Sequence, residues 1–412
     1  MIIDSNAFRG PCTCGKAHAM TTEFCIIEPG CLKRLPEYLL SVGLVGHCAA
    51  IYDENTYAAT ADLHPEVLRS IVLPAHNLHA DNHGVTLALA QLTEQYDFLI
   101  AVGAGTIHDI TRYCAYEKGI PFVSCPTAAS VDGFCSSVAA MTWNGYKKTF
   151  SAVAPKLVVA DTDIIAHAPI RLAKSGFGDM VGKYIALADW KVGHLLTGEH
   201  FCQQIYDVTY QATQAVLDSA TGIINGDPAA YERLTYGLLM SGVAMQLLGS
   251  SRCASGAEHH ISHLIEMEPP GLGVHSDALH GEKVGIGTLL ACQAYHALAQ
   301  KDLPWHDYVT SDQNYIRSMF GQKLSGSILT ENKTDAAAGI TAETLHKHFD
   351  ALSAIINEIP SYDSLVSLYK NLAVKSTLPE IGVPAEAVSI LLECSPLVRN
   401  RLTLMRLRRC LL

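Results

Sequence analysis

The chain has 412 residues, which is long enough for two hydrophobic cores and too long for one ordinary core. With 49% hydrophobic and only 17% charged residues, the composition excludes disordered and fibrous classes. A net charge of −11 excludes nucleic acid and acidic lipid surfaces as general partners, while leaving room for a local basic pocket around a small anion.

The chain opens on Met1-Ile2-Ile3-Asp4-Ser5-Asn6, where no basic region leads into an apolar run, so no secretory signal is expected. Next comes Cys12-Thr13-Cys14-Gly15-Lys16-Ala17-His18. Two thiols and an imidazole this close make a partial zinc knuckle, although no fourth ligand is visible, and a solvated loop is the alternative. From Glu23 to Asp161 short apolar runs alternate with helical stretches. Phe24–Ile27, His47–Tyr52, Ile71–Leu73, Phe98–Val102, Phe122–Ser124 and Leu157–Ala160 are the predicted strands of a parallel sheet covered on both faces. Asn144-Gly145, between Ala139–Met141 and Tyr146–Phe150, predicts a small antiparallel hairpin within that region.

Beyond Pro169 the strand signal fades. Apolar residues recur at helical spacing, as from Phe201 to Ile224 and from Tyr231 to Leu248. The longest apolar stretch, Gly237 to Gly249, is too short to span a bilayer and carries Ser241 and Gln246. The expected organisation is an α/β nucleotide-binding domain over 1–168 and an all-α domain over 169–412, with chemistry in the cleft between them. The last stretch, from Gln300, offers no motif. Its basic run Arg399 to Arg409 predicts an amphipathic helix against another helix or a second subunit. The 13 cysteines are odd in number and mostly set singly in apolar segments, which fits reduced thiols in the cytoplasm.

Three segments point to a dinucleotide. Phe98-Leu99-Ile100-Ala101-Val102 runs straight into Gly103-Ala104-Gly105-Thr106-Ile107-His108-Asp109, and glycines at a strand-to-helix junction let backbone N–H groups approach a pyrophosphate. The pattern departs from G-x-G-x-x-G because His108 stands at the third glycine, and a ligand-free tight turn is an equal reading of it. Asp53, at the end of a predicted strand, suits ribose hydroxyls and disfavours the extra phosphate of NADP; alternatively it caps the next helix. Thr127, Ser130 and Ser136 offer hydroxyls to nicotinamide or ribose, or to local backbone.

Three further segments offer metal ligands: Gly176-Phe177-Gly178-Asp179, Glu258-His259-His260-Ile261-Ser262-His263 and His280-Gly281-Glu282. His259 and His263 share a helix face one turn apart. One carboxylate with two imidazoles would leave coordination positions free, as a catalytic site requires.

Taken in order, Gly-x-Gly-Thr-x-x-Asp at 103–109, Pro-Thr-x-x-Ser-x-Asp-Gly at 126–133, Gly-x-Gly-Asp-x-x-x-Lys at 176–183, Glu-His-x-x-Ser-His at 258–263 and His-Gly-Glu at 280–282 resemble the bacterial sn-glycerol-1-phosphate dehydrogenase family, within the iron-containing alcohol dehydrogenase, glycerol dehydrogenase and dehydroquinate synthase-like superfamily. The resemblance implies that Asp179, His259 and His280 hold a divalent metal. It places Asp132, Asp179 and His263 on the substrate, with His263 as proton relay. It makes Asp53, Gly105, Thr106, Ile107, His108, Asp109, Thr127, Ala128, Ala129, Ser130 and Ser136 contacts of NAD(H). The implied activity is reduction of dihydroxyacetone phosphate to sn-glycerol 1-phosphate, by a cytoplasmic homodimer of phospholipid metabolism. Nickel or zinc is the implied metal, with iron behind them, although this donor set accommodates all three almost equally. Lys147, Lys148, Lys183 and Arg252 are candidate phosphate partners. The alternatives are a glycerol dehydrogenase acting on an unphosphorylated polyol, and a catalytically silent relative that binds NAD.

Overall fold

The computed structural model describes residues 1–411. Among them the strands are β1 (Ile2–Asp4), β2 (Gly10–Pro11), β3 (Ala17–His18), β4 (Phe24–Glu28), β5 (Cys48–Asp53), β6 (Arg69–Leu73), β7 (Phe98–Gly103), β8 (Phe122–Pro126), β9 (Val138–Trp143), β10 (Tyr146–Ser151) and β11 (Leu157–Asp161). Seven of these form one sheet in the order β1-β4-β11-β8-β7-β5-β6. It is parallel throughout except for β1, which pairs antiparallel with β4. Every predicted strand is present. β1 has only three residues, too few to carry a period, and the sequence gives no sign of it.

Alternate side chains of each central strand enter opposite faces of the sheet. Leu99 and Ala101 pack with Ile51, Leu73, Ile107, Ile110 and Phe122 on one side. Ile100 and Val102 pack with Tyr52, Val123, Val159 and Ile26 on the other. Burial on both faces is why these strands read as unbroken apolar runs. The predicted hairpin is β9–β10, with Tyr146 opposite Trp143 and Asn144 and Gly145 both at positive φ in the turn.

The chain divides into two compact units. The first comprises Met1–Met180 and Asp207–Ser250, and so includes the 21-residue helix Pro228–Leu248. That helix packs closely on the turn Asp132–Cys135, where a Cβ on Gly242 would come within 2.8 Å of Cys135 Cβ. Helical periodicity marks the buried face but not the neighbour it meets, so a single boundary at 168/169 assigns 169–180 and 207–250 to the other unit. The second unit comprises Val181–Tyr206 and the chain from Ser251 onward, and contains no strand among its described residues. The run from Phe201 to Ile224 is two helices, Gln203–Asp218 and Ala220–Ile224, interrupted at Ser219.

The basic run at the chain's end is not the continuous amphipathic helix its pattern predicts. Only Leu404–Leu407 is α-helical, and Arg406 is fully buried, bonded to Asp335 at 2.8 Å and to the carbonyls of Pro396 and Arg399. No helix among the described residues is long and apolar enough to cross a membrane.

Candidate active site

In the first unit, β5, β7 and β8 end side by side. Gly103 lies in register with Pro126, and the Thr127 N–H donates to the Gly103 carbonyl at 3.0 Å. The chain leaves β5 for β6 on one side and returns to β7 on the other, so the carboxyl ends of β5 and β7 flank a topological switch point, where parallel α/β sheets place their ligands. Asp53 and Gly103 are the last residues of those two strands.

The helix Gly105–Lys118 begins there without a side-chain cap on its first N–H groups. Small residues are required at this point. A Cβ on Gly103 would meet Ile107 Cβ at 2.7 Å, and one on Gly105 would meet Val131 Cγ2 at 2.8 Å. His108, in place of a third glycine, points inward. It is 1% exposed, donates from Nδ1 to the Ala104 carbonyl at 3.0 Å and packs edge-on against Phe134. Burial pushes its pKa down to about 3, so it is neutral. Asp53 caps the helix Glu54–Ala59: its Oδ1 accepts from the Thr56 N–H at 2.9 Å, and the Thr56 hydroxyl oxygen accepts from the Asp53 N–H at 3.0 Å. The capping alternative is thus realised; it occupies one carboxylate oxygen.

The segment after β8 is held from both sides. Arg112, which the sequence presents as an ordinary helical cation, is completely buried and pairs with Asp109 at 2.7 Å. It also donates to the carbonyls of Gly133, Phe134 and Val138. Across the segment, Ser175 Oγ donates to the Ser130 carbonyl, and Gly176 lies so close that a Cβ would stand 2.1 Å from the Ala129 carbonyl oxygen. Thr127, Ala128, Ala129, Ser130 and Ser136 are all buried here, and Ser136 Oγ accepts from the Val138 N–H. The fully buried Asp179, on the helix Ile170–Val181, accepts from the Asp132 N–H at 3.0 Å. Ser241, on the helix Pro228–Leu248, donates to Asp132 Oδ2 at 2.8 Å. Two carboxyl side chains are thereby fixed next to the glycine-rich turn.

In the second unit the helices Ala257–Met267 and His280–Leu298 pack closely, with Gly287 against the backbone of Glu258, where a Cβ would come within 2.5 Å of the Glu258 carbonyl oxygen. This approach gathers three imidazoles. The ring centroids of His259, His263 and His280 lie 5.9, 5.4 and 5.8 Å apart in the pairs 259–263, 259–280 and 263–280. His259 Nδ1 meets Glu258 Oε1 at 2.6 Å, and His280 Nδ1 meets Glu266 Oε1 at 2.7 Å. A carboxylate accepting from Nδ1–H orients each ring so that, in the neutral imidazole, Nε2 is the nitrogen left to ligate a metal. Glu258 is itself fully buried and accepts from the Gly256 N–H. The sequence motif contains Glu258 without revealing this task. Glu266 lies 14 residues from His280 and pairs with it across two helices, for which sequence carries no signal.

The start of the helix Ala257–Met267 is anchored as well. Asp189, on the helix Lys183–Thr197, accepts from the Ala257 N–H at 2.9 Å, the Leu404 N–H at 2.8 Å and the Tyr295 hydroxyl at 2.9 Å. Of the four candidate phosphate partners, Arg252 is buried and committed to Glu199 and to the carbonyls of Asp189 and Leu402, and Lys183 is fully buried. Lys147 and Lys148 lie on β10, where the Lys148 ammonium stands 5.2 Å from the Phe150 ring centroid.

Residues 26–169 match the family described as iron-containing alcohol dehydrogenase. The chain is 34% identical over 407 residues to the glycerol-1-phosphate dehydrogenase [NAD(P)+] of Halalkalibacterium halodurans, covering 96% of this chain and 94% of the relative. It is 38% identical over 338 residues to that of Bacillus licheniformis, covering 78% and 82%. Among solved structures, a probable glycerol dehydrogenase from Sinorhizobium meliloti shares the fold with a TM-score of 0.56 at 19% identity, over 86% of this chain and 98% of that one. The chain belongs to the glycerol-1-phosphate dehydrogenase family, NAD(P)-dependent oxidoreductases within the iron-containing alcohol dehydrogenase group.

Proposed function

We propose that this chain reduces dihydroxyacetone phosphate with NADH to sn-glycerol 1-phosphate, reversibly, using one divalent ion held by Asp179, His259 and His280. The observation that carries the reading is a pair of imidazoles on neighbouring helices, each held at Nδ1 by a carboxylate. One acid with two imidazoles suits Zn2+, Ni2+ or Fe2+. When bound, such an ion would supply Lewis-acid polarisation of a ketone, and the nicotinamide would supply hydride.

The chain's own residues do the rest. The turn Gly103–Asp109 offers N–H groups to the dinucleotide phosphates, and the second oxygen of Asp53 accepts from a ribose hydroxyl, which favours NAD over NADP. Thr127 to Ser130 and Ser136 line the nicotinamide side. Asp132, its carboxylate fixed by Ser241, accepts from a substrate hydroxyl. His263 delivers the proton that the product alcohol needs. Lys147 and Lys148 are the phosphate partners we favour, since Arg252 is committed to Glu199 and to the carbonyls of Asp189 and Leu402. We place the enzyme in the cytoplasm as a homodimer serving phospholipid metabolism.

The test is NADH oxidation by purified protein with dihydroxyacetone phosphate and with dihydroxyacetone. A clear preference for the phosphorylated ketone supports the assignment. Equal turnover would favour the polyol reading.

A further inference from the structure

One motif lies outside everything assigned above. Cys12 opens, and Cys14 lies within, a tight turn closed by the Cys12 N–H on the Lys16 carbonyl at 2.9 Å and the Gly15 N–H on the Cys12 carbonyl at 3.0 Å, with Gly15 at φ +84°. The two-residue strands β2 and β3 pair beneath it, Gly10 opposite His18, and return His18 to the same side. One ligand atom from each of Cys12, Cys14 and His18 lies within 4.8 Å of the others, and Cys14 Sγ stands 3.3 Å from His18 Nε2. Around a tetrahedral zinc ion, ordinary Zn–S and Zn–N bonds would put a sulfur and a nitrogen about 3.6 Å apart.

The tautomer of His18 is also fixed. Its ring is 6% exposed, and Nδ1 lies 2.9 Å from the carbonyl of Leu247, near the end of the helix Pro228–Leu248. A carbonyl only accepts, so Nδ1 carries the proton and Nε2 presents its lone pair towards Cys14. That is the same orientation device seen at His259 and His280, here with a backbone oxygen in place of a carboxylate.

We infer that Cys12, Cys14 and His18 bind a second metal ion, zinc, separate from the proposed catalytic centre. Two soft thiolates with an imidazole select zinc over hard cations, and the fourth position is left to a water or a further thiolate. The two thiols lose their protons to solvent on binding. The consequence is structural. The ion locks the hairpin whose histidine docks on Leu247, next to the point where Gln246 Oε1 accepts from the Thr21 N–H, so it clips the start of the chain to that helix.

The test uses the full chain, stripped of metal and titrated with Co2+ alone, reading the near-ultraviolet thiolate-to-cobalt charge-transfer band. The proposed catalytic ligands include no sulfur, so that band reports this site whether or not the enzymatic reading holds. The wild type and His259→Ala are expected to show it; Cys12→Ser and Cys14→Ser are expected to lose most of it and to bind one zinc equivalent fewer by elemental analysis, while His18→Cys strengthens it. A wild-type protein without the band, or Cys14→Ser with the band intact, overturns the assignment, and neither result depends on how well a variant folds.

Discussion

At the residue scale, His108 records what burial does to an imidazole. Its folded pKa, about 3, lies below the ordinary 6.5 because desolvation disfavours the charged form. Between those two values the unfolded chain binds the proton and the folded chain does not, so the contribution of His108 is full above pH 6.5 and is lost as pH falls towards 3, by several kcal/mol at about 1.4 kcal/mol per unit. His108→Gln should therefore be less stable than wild type at pH 7, by about 1–3 kcal/mol for the lost packing and hydrogen bond, with the gap closing as the medium is acidified. Urea unfolding at several pH values between 7 and 4.5 measures it; a gap that stays constant would mean His108 does not titrate as described. Glu258 and Glu266 pose a different question, because each touches a proposed ligand and not the ion. Glu258→Gln or Glu266→Gln keeps the shape but weakens the pull on Nδ1–H, so metal affinity should fall about 10–100-fold while the fold persists. Calorimetric titration of the metal-free variants with Zn2+ reads this directly, and an unchanged affinity would remove the carboxylates from the site.

At the scale of elements, two glycines set distances that no longer side chain permits. Gly287→Ala would drive a methyl group into the Glu258 carbonyl, and the helices Ala257–Met267 and His280–Leu298 would have to separate. The expected cost is about 1–3 kcal/mol of stability, with weaker metal binding because His259 and His280 move apart. Gly176→Ala meets the Ala129 carbonyl and should instead disturb the segment after β8, raising the KM for NADH more than it changes metal content. Exchanged outcomes in paired zinc titrations and cofactor kinetics would show that the wrong helix had been tied to each function. These contacts also mark the limit of what the sequence discloses. The parallel strands are legible because burial on both faces leaves unbroken apolar runs, and the β9–β10 turn because Asn144-Gly145 tolerates positive φ. Arg112 and Arg406 are not, since a buried arginine bonded to carbonyls looks in sequence like any surface cation. The pairing of Glu266 with His280, and of the helix Pro228–Leu248 with the sheet unit, depends on which faces meet, and periodicity is silent about partners.

At the scale of the whole molecule, the proposed ion would take three ligands, Asp179, His259 and His280, that stand far apart along the chain. A ligand that binds only the folded chain stabilises it by RT ln(1 + [L]/Kd), about 2.7 kcal/mol at a hundredfold excess over Kd. For units of this size that corresponds to a rise of roughly 5–10 °C in Tm. Metal-depleted protein should therefore melt lower than protein resupplied with Zn2+ or Ni2+, and the rise should be lost equally in Asp179→Asn and His280→Ala, because each removes one proposed ligand. Cys12→Ser, which leaves those ligands untouched, should retain it apart from whatever its own ion contributes. Differential scanning calorimetry on the four proteins, each metal-free and resupplied, separates the cases. If Asp179→Asn kept the full rise while His280→Ala lost it, the ion would be held within the second unit alone. His263, Glu266 and His280, whose ligand atoms lie within 4.8 Å of one another, would then be the ligand set, and Asp179 would be left with its bond to the backbone of Asp132.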